Sequence, residues 1–153
     1  MISCAGTTCS GAGDAAYFAF NGGRLYARGA HATGARDPAN GLGSGFVAEY
    51  GGSIDAAGAD ARFNLLAGFT ALSNGAIRAH GATAQHNGKA GFYAASGGTI
   101  EAHDGITRAN CGPGTMLRDA TASIGGERMA SSGNQAAAAT CLAGQAEGAR
   151  NAY

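Results

Sequence analysis

Two nearly identical stretches decide the fold of this chain. GFYAASGGTIEAHDG occupies Gly91–Gly105, and GFTALSNGAIRAHGA occupies Gly68–Ala82, one 23-residue step earlier. The first stretch divides into runs of about five residues bounded by Gly and Asp, and such runs are typical of β-strands. No run is long enough for an amphipathic helix. Self-similarity at a fixed period of this kind indicates a repeat architecture.

The aliphatic residue that follows a turn containing Gly or Asn marks the repeat. It is found at Leu25, Ile54, Ile77 and Ile100. The last three are evenly spaced by the same 23-residue step, whereas the step from Leu25 to Ile54 is longer. The six extra residues fall within the Pro-, Gly- and Asn-rich stretch 34–45, which predicts a loop. One further regular step back from Leu25 reaches Ile2. We therefore expect the chain to begin in the middle of a coil, as the C-terminal piece of a longer polypeptide rather than as a chain without a start cap.

Similar residues fall above one another when the coils are stacked. The aligned columns are Tyr17, Phe46, Phe69 and Phe92; Ala27, Ala56, Ala79 and Ala102; and Asn64, Asn87 and Asn110. A single coil cannot bury its own apolar face, and stacked neighbours make the core continuous. The columns predict a parallel β-helix with rungs about 4.8 Å apart and a ladder of Asn side-chain amides. The absence of a six-residue period disfavours the left-handed hexapeptide form, so we expect the right-handed one.

The predicted fold class is therefore all-β: a right-handed parallel β-helix of about five to six coils with a 23-residue repeat. The regular coils cover residues 1–114, with the loop insertion near 34–45. After residue 114 the repeat decays, and 115–153 is expected to form one irregular last coil and a C-terminal cap. A cap is needed because an open β-helix end exposes unpaired backbone groups.

Composition excludes several classes of function. Ten basic and ten acidic residues give a net charge of zero, and only 13% of residues are charged, so we expect no binding to nucleic acid and no electrostatic attachment to an anionic membrane. No apolar run reaches the roughly 18 residues of a membrane-spanning helix, so membrane insertion is not expected. No nucleotide-binding fingerprint or Ser-His-Asp arrangement is present. We expect no cofactor and no metal.

The four cysteines show no metal-binding spacing. Cys4 and Cys9 fall in columns that alanine occupies in the other coils, which predicts small buried thiols. A bridge between Cys111 and Cys141 stays open, because the sequence does not show that they are close.

The most chemically loaded outward patch lies on the second strand of the coils. Its two columns are Tyr26, Asp55, Arg78 and Glu101, and Arg28, Ala57, His80 and His103. One interpretation is a saccharide-binding or saccharide-cleaving surface, and the other is a solvated ladder of ion pairs. Catalysis is disfavoured, because no carboxylate pair shares one face with a cleft or an aromatic platform. A metal site at His80, His103 and Asp104 is also disfavoured. The candidate binding residues are Tyr26, Arg78, His80, Tyr93, Glu101 and His103.

An apolar column faces outward on the first strand of the coils. It contains Phe18, Val47, Thr70, Tyr93 and Met116, beside Phe20, Glu49, Leu72 and Ala95. Exposed apolar stripes mark interfaces, so we expect a protomer contact in a homotrimer. The alternative is that the strand has the opposite orientation and this column is core. The candidate interface residues are Phe18, Phe20, Val47, Leu72 and Tyr93.

The coil GFYAASGGTIEAHDG resembles the repeats in the C-terminal regions of bacteriophage and prophage tail fibres and tailspikes. The resemblance covers Ile2 to about Gly114 and is clear in four coils. It implies a right-handed β-helix, usually homotrimeric, in the distal part of a fibre or spike on the virion, outside the cell. The implied partners are other phage tail proteins and the surface polysaccharide of the host.

The resemblance specifies the architecture better than the role. The family's enzymatic members carry acidic residues in grooves, and no such motif can be transferred to this sequence residue by residue, so catalysis is not predicted. The alternatives are a polysaccharide-degrading β-helix enzyme and a fragment of a bacterial surface adhesin.

Overall fold

The computed structural model describes residues 1–135. Within that part, the chain forms short β-strands and no helix. The strands are β1 (Ile2–Ser3), β2 (Thr8–Ser10), β3 (Ala15–Phe20), β4 (Arg24–Tyr26), β5 (His31–Thr33), β6 (Ser44–Glu49), β7 (Ser53–Asp55), β8 (Asp60–Arg62), β9 (Phe69–Leu72), β10 (Ala76–Arg78), β11 (Thr83–Gln85), β12 (Phe92–Ala95), β13 (Thr99–Glu101), β14 (Ile106–Arg108), β15 (Thr115–Leu117), β16 (Ser123–Gly125) and β17 (Ala130–Ser132).

The strands stack into three parallel sheets, one strand per coil in each. Sheet A has the order β1-β4-β7-β10-β13-β16, sheet B the order β2-β5-β8-β11-β14-β17, and sheet C the order β3-β6-β9-β12-β15. Ile77 pairs with Ile54 on one side and with Ile100 on the other, in the register that the repeat predicts. The predicted all-β solenoid of about six coils is confirmed. The right-handed sense of the coils stays a prediction.

The core consists of columns of like side chains. Tyr17, Phe46, Phe69 and Phe92 form a continuous ring stack, with successive centroids 4.7, 4.8 and 5.1 Å apart. Columns of fully buried alanines face the rings, and the aliphatic column closes the third side. Because protein interiors are close-packed, a longer side chain at these fully buried positions would overpack the core. The column of aromatic rings therefore faces the core, and the alternative orientation of this strand is wrong.

Glycine is needed at the corner between sheets C and A for two separate reasons. Ser73 and Asn74 have φ of 48° and 62°, and the N–H of Gly75 donates to the Leu72 carbonyl at 2.8 Å, as in a type I′ turn. In this coil the glycine pair of the repeat is Asn74-Gly75. Its first position needs a residue with a left-handed φ, a conformation that Asn adopts as well as Gly. The second position needs space, because a Cβ on Gly75 would overlap the carbonyl group of Ala48 on the preceding coil.

The predicted Asn ladder is confirmed and is longer than the sequence indicated. The side-chain amide of Asn64 donates to the Asn87 carbonyl oxygen at 3.0 Å, and Asn87 donates in the same way to Asn110 at 2.9 Å. Asn134 adds a fourth rung, since Asn110 donates to it at 2.8 Å. The repeat pattern of the sequence did not place Asn134 in this column, because Asn134 comes one residue later than the repeat predicts.

The predicted loop at 34–45 connects β5 to β6. It folds back on itself through an antiparallel bridge between Asp37 and Leu42. Hydrogen bonds donated by the side chain and backbone of Asn40 lower the pKa of the Asp37 carboxyl. The loop is therefore a small structured hairpin on the side of the solenoid.

The last coil keeps the pattern of its predecessors further than expected. β15, β16 and β17 pair in parallel with the coil below, and Ile124 lies beside Ile100 although this step, too, is one residue longer than the repeat. The extra residue lies in the corner between β15 and β16. There the Asp119 carboxylate accepts hydrogen bonds from the backbone N–H groups of Ser96 and Thr121 at 2.6 and 3.0 Å. The expected C-terminal cap lies outside the described residues.

Cys4 and Cys9 are free thiols, half-buried against the core because theirs is the first coil of the stack. Cys111 is fully buried and disulfide-bonded. Cys141, the partner considered from the sequence, lies outside the described residues.

Candidate functional site

A groove of about 400 Å³ runs along the outer face of sheet A, across strands β4, β7, β10 and β13. The groove exists because one outward column of the sheet carries mostly small side chains. This column begins at Arg24 and continues with Ser53, Ala76 and Thr99. The neighbouring column of larger side chains rises beside it. A ligand in the groove would therefore lie against backbone and hydroxyl groups, with long side chains on one flank.

Three of the six predicted binding residues line this groove together. Tyr26 pairs in register with Asp55, Asp55 with Arg78, and Arg78 with Glu101, so the four side chains form one column, one rung apart. Tyr26 is partly exposed and offers its ring to solvent. The column has the parity that the sequence indicated, while the role of these residues in binding stays a prediction.

The charges along the groove are unevenly paired. Arg28 donates from Nε to the Asp55 carboxylate at 2.7 Å, and its Nη2 lies 2.7 Å from the same oxygen. This contact raises the pKa of the Arg28 guanidinium. The Arg78 Nε lies 3.6 Å from the Glu101 carboxylate, a looser pair. Arg24 makes no ion pair with any residue of 1–135. Three arginines thus face two carboxylates in the lining.

The two predicted histidines lie at one flank of the groove, toward the corner with sheet B. The rings of His80 and His103 have centroids 4.9 Å apart. His80 Nε2 lies 3.5 Å from Glu101 but has no hydrogen-bond partner with acceptable geometry. His103 Nδ1 accepts the backbone N–H of Glu127 at 3.0 Å, so its proton in the neutral form is on Nε2. Both histidines therefore belong to the ladder of polar and charged side chains beside the groove.

That ladder ends in an exposed bidentate ion pair. Arg128 donates from Nε and Nη2 to the two oxygens of Asp104 at 2.6 and 2.7 Å. The guanidinium lowers the pKa of the Asp104 carboxyl. Within residues 1–135, no group of three or more His, Cys, Asp or Glu side chains is placed to hold a metal ion. Nor does this part contain a helix long and apolar enough to cross a membrane.

The sixth predicted binding residue, Tyr93, is not near the other five. It lies on the outer face of sheet C, is 9% exposed, and has the Lys89 Nζ 4.8 Å from the centre of its ring. The structure therefore does not bring Tyr93 together with Tyr26, Arg78 and Glu101.

The outer face of sheet C is less exposed than predicted. Phe18 and Phe20 are 48% and 50% exposed, but Val47 and Tyr93 are only 8% and 9% exposed. The corner segments cover the later coils, since Ala67 and Ala90 pack in one cluster with Tyr93, and half-buried Leu72 lies against that cluster. The exposed apolar stripe is thus confined to the first coils. Whether the five predicted interface residues form a contact stays a prediction.

One exposed aromatic of that surface was missed. Tyr50 is 58% exposed, and its ring lies 5.1 Å from the ring of Phe20, which is in turn 5.7 Å from Phe18. We call these three residues the aromatic patch. The sequence places Tyr50 in a turn, at the position of Ser73 in the next coil, and a turn residue gives no strand parity from which exposure could be predicted.

A smaller groove of about 90 Å³ lies beside the aromatic patch. It is mostly apolar, with Asp14 and Glu49 among its lining residues. Burial, together with the nearby Asp14 carboxylate, raises the pKa of the Glu49 carboxyl. Its volume suits a single apolar side chain rather than a saccharide chain.

Arg24 is the charged groove residue that the sequence analysis missed. Its signal was available, since it lies two residues before Tyr26 on the same strand and so faces the same side.

Comparison of the chain with family models, with curated proteins and with solved structures gave no match in any of the three.

Proposed function

We propose that this chain is the β-helical, receptor-binding part of a bacteriophage tail fibre or tailspike, and that it binds a polysaccharide of the host cell surface. The groove on sheet A is the observation that carries this proposal. It is long, open to solvent and set on a paired sheet, so it suits an extended polymer better than a small compact molecule.

The side chains of the groove match the chemistry of sugars. Ser53 and Thr99 offer hydroxyl groups, and Arg78 and Glu101 offer a donor and an acceptor on the next column. Tyr26 offers an aromatic face together with a polar tip. Strand pairing fixes the backbone that carries these side chains, so the backbone loses little conformational entropy when a saccharide binds.

The solenoid itself suits a fibre. Strand pairing satisfies the backbone groups from one coil to the next. The aromatic patch and the half-buried Leu72 provide apolar surface for a homotrimer, while Val47 and Tyr93 already pack within the chain. In this proposal the protein belongs to the virion, acts outside the cell, and contacts other tail proteins as well as the host polysaccharide.

Binding to purified capsular polysaccharides and lipopolysaccharides, measured by biolayer interferometry, tests the proposal. We expect the wild-type protein to bind at least one of them. Tyr26→Ala and Arg78→Ala should each weaken binding about tenfold, the effect of one lost stacking or charged hydrogen-bond contact. Arg108→Ala, an exposed arginine on sheet B, is the matched control and should bind like the wild type.

Two results would contradict the proposal. One is the absence of binding to every polysaccharide tested, and the other is full binding by the double variant Tyr26→Ala, Arg78→Ala. Release of reducing ends from the polysaccharide during the experiment would indicate instead that the protein is a degrading enzyme.

A further inference from the structure

The groove on sheet A has one end that differs from the rest. Along its floor the outward residues are Ser53, Ala76 and Thr99, whose side chains are short. At the β4 end the same column holds Arg24, which is exposed. A chain lying along the floor therefore meets a guanidinium at that end.

The charge of Arg24 is not neutralised by its neighbours. The Asp55 carboxylate is engaged by Arg28 at 2.7 Å, and Glu101 lies close to both Arg78 and His80, at 3.6 and 3.5 Å. Arg24 makes no ion pair with any part of the chain that the structure describes. Each carboxylate of the lining thus has a cationic neighbour of its own, and the surplus positive charge lies at the Arg24 end.

We propose that the groove takes an acidic saccharide, with a sugar carboxylate bound by the Arg24 guanidinium. This inference rests on the proposed function and specifies its ligand. A guanidinium can donate two parallel N–H bonds to one carboxylate, which adds orientation to charge. Tyr26 lies two residues further along the same strand, about 7 Å away. Since Tyr26 is on the same rung as Arg24, the sugar whose carboxylate Arg24 binds lies with the Tyr26 ring at its flank.

Calorimetric titration with three short oligosaccharides tests this inference. They are an oligogalacturonate, the methyl ester of the same oligogalacturonate, and a phosphorylated mannose oligosaccharide. The first two share the same sugar backbone and differ in that each carboxylate is replaced by a neutral methyl ester, and the third offers a phosphate instead of a carboxylate. The variants are Arg24→Gln and, as the matched control, Arg108→Gln on sheet B. Thermal unfolding of each variant verifies that it is folded.

We expect the oligogalacturonate to bind at least tenfold more tightly than its methyl ester, because the ester cannot accept the charge-assisted hydrogen bonds that a guanidinium donates to a carboxylate. Arg24→Gln should remove that preference and leave the weaker binding of the ester unchanged. Arg108→Gln should keep the preference.

Equal binding of acid and ester would overturn the inference, as would an Arg24→Gln variant that still prefers the acid. Binding of the phosphorylated oligosaccharide alone would overturn the choice of a carboxylate. Failure here is distinguishable from failure of the proposed function. If acid and ester bind equally and Tyr26→Ala weakens both, the groove binds saccharides without regard to charge. If no saccharide and no surface polysaccharide binds, both proposals fail.

Discussion

Replacing Asn87 by alanine should destabilise the solenoid more than any single surface change. The Asn87 side chain is fully buried. Its carbonyl oxygen accepts the backbone N–H of Asn64 at 3.2 Å and the Asn64 side-chain amide at 3.0 Å. Its own amide donates to the Ala61 carbonyl at 3.1 Å and to the Asn110 side chain at 2.9 Å. The alanine variant loses all of these bonds.

The cost follows from what remains unsatisfied. The Asn110 carbonyl oxygen keeps the backbone N–H of residue 87 at 3.0 Å, and the Asn64 side-chain amide keeps a long bond to Ala32 at 3.5 Å. The backbone N–H of Asn64 loses its acceptor inside the protein. An unsatisfied buried donor costs about 1–3 kcal/mol and each of the other lost bonds about 1 kcal/mol, so the free energy of unfolding should fall by about 4–6 kcal/mol.

Chemical denaturation followed by far-UV circular dichroism measures this loss. A domain of this size is stable by about 5–15 kcal/mol, so the variant should unfold at a much lower denaturant concentration or already be partly unfolded in buffer. Gln85→Ala is the matched control, since Gln85 lies in the same coil on the outer face of sheet B. It should change stability by less than about 0.5 kcal/mol. A loss below about 1 kcal/mol for Asn87→Ala would show that the amide ladder contributes little and would refute this reasoning.

The aromatic patch and the half-buried Glu49 carboxyl give two further predictions. The double variant Phe18→Ser, Phe20→Ser should convert the expected trimer to a monomer, as measured by light scattering. The control variant Tyr26→Ser, on sheet A, should leave the native mass unchanged. A wild-type protein that is already monomeric would contradict the proposed interface. Glu49→Gln should stabilise the protein at pH 7 and have no effect near pH 4. The raised pKa of Glu49 means that the folded state holds this proton more tightly than the unfolded state, so wild-type stability falls as the pH rises from the unfolded pKa through the folded one. Thermal unfolding of both proteins across this pH range measures the difference, and a constant difference would show that Glu49 is not the cause.

The sequence was sufficient to predict the stacking of the coils because a solenoid repeats one set of contacts. Ile54, Ile77 and Ile100 need only be aligned to give the strand register, and the same alignment places Asn87 above its partners in the ladder. Long-range pairing is normally the hardest feature to predict from a sequence. Here the fixed period reduces it to pairing between neighbouring coils.

The covering of the outer surface could not be predicted in the same way. Strand alternation shows that Val47 and Tyr93 point away from the core, but it does not show whether another segment lies over them. The corner residues Ala67 and Ala90 do so for Tyr93. The path of a corner depends on its φ angles, such as the 56° at Phe63, and a bulky residue in the left-handed region is not expected from the sequence.

The groove on sheet A lies between these two cases. The parity of Tyr26, Arg78 and Glu101 was predictable, and so was their adjacency, because both follow from the repeat. The groove itself depends on the small side chains of the next column, Ser53 and Ala76, which carry no chemical signal of their own. A search for reactive residues therefore identifies the flank of a groove more readily than its floor.

The alternation of the strands also separates function from stability in this fold. Ile77 faces the core and is fully buried, whereas Arg78, the next residue, faces the groove. Because successive residues point to opposite sides, the outward columns can change without altering the core columns or the amide ladder. Each coil contacts only its neighbours, so an outward change acts over one or two rungs. A solenoid of this kind can therefore vary the surface that meets its ligand while the repeated inward residues keep the coils in register.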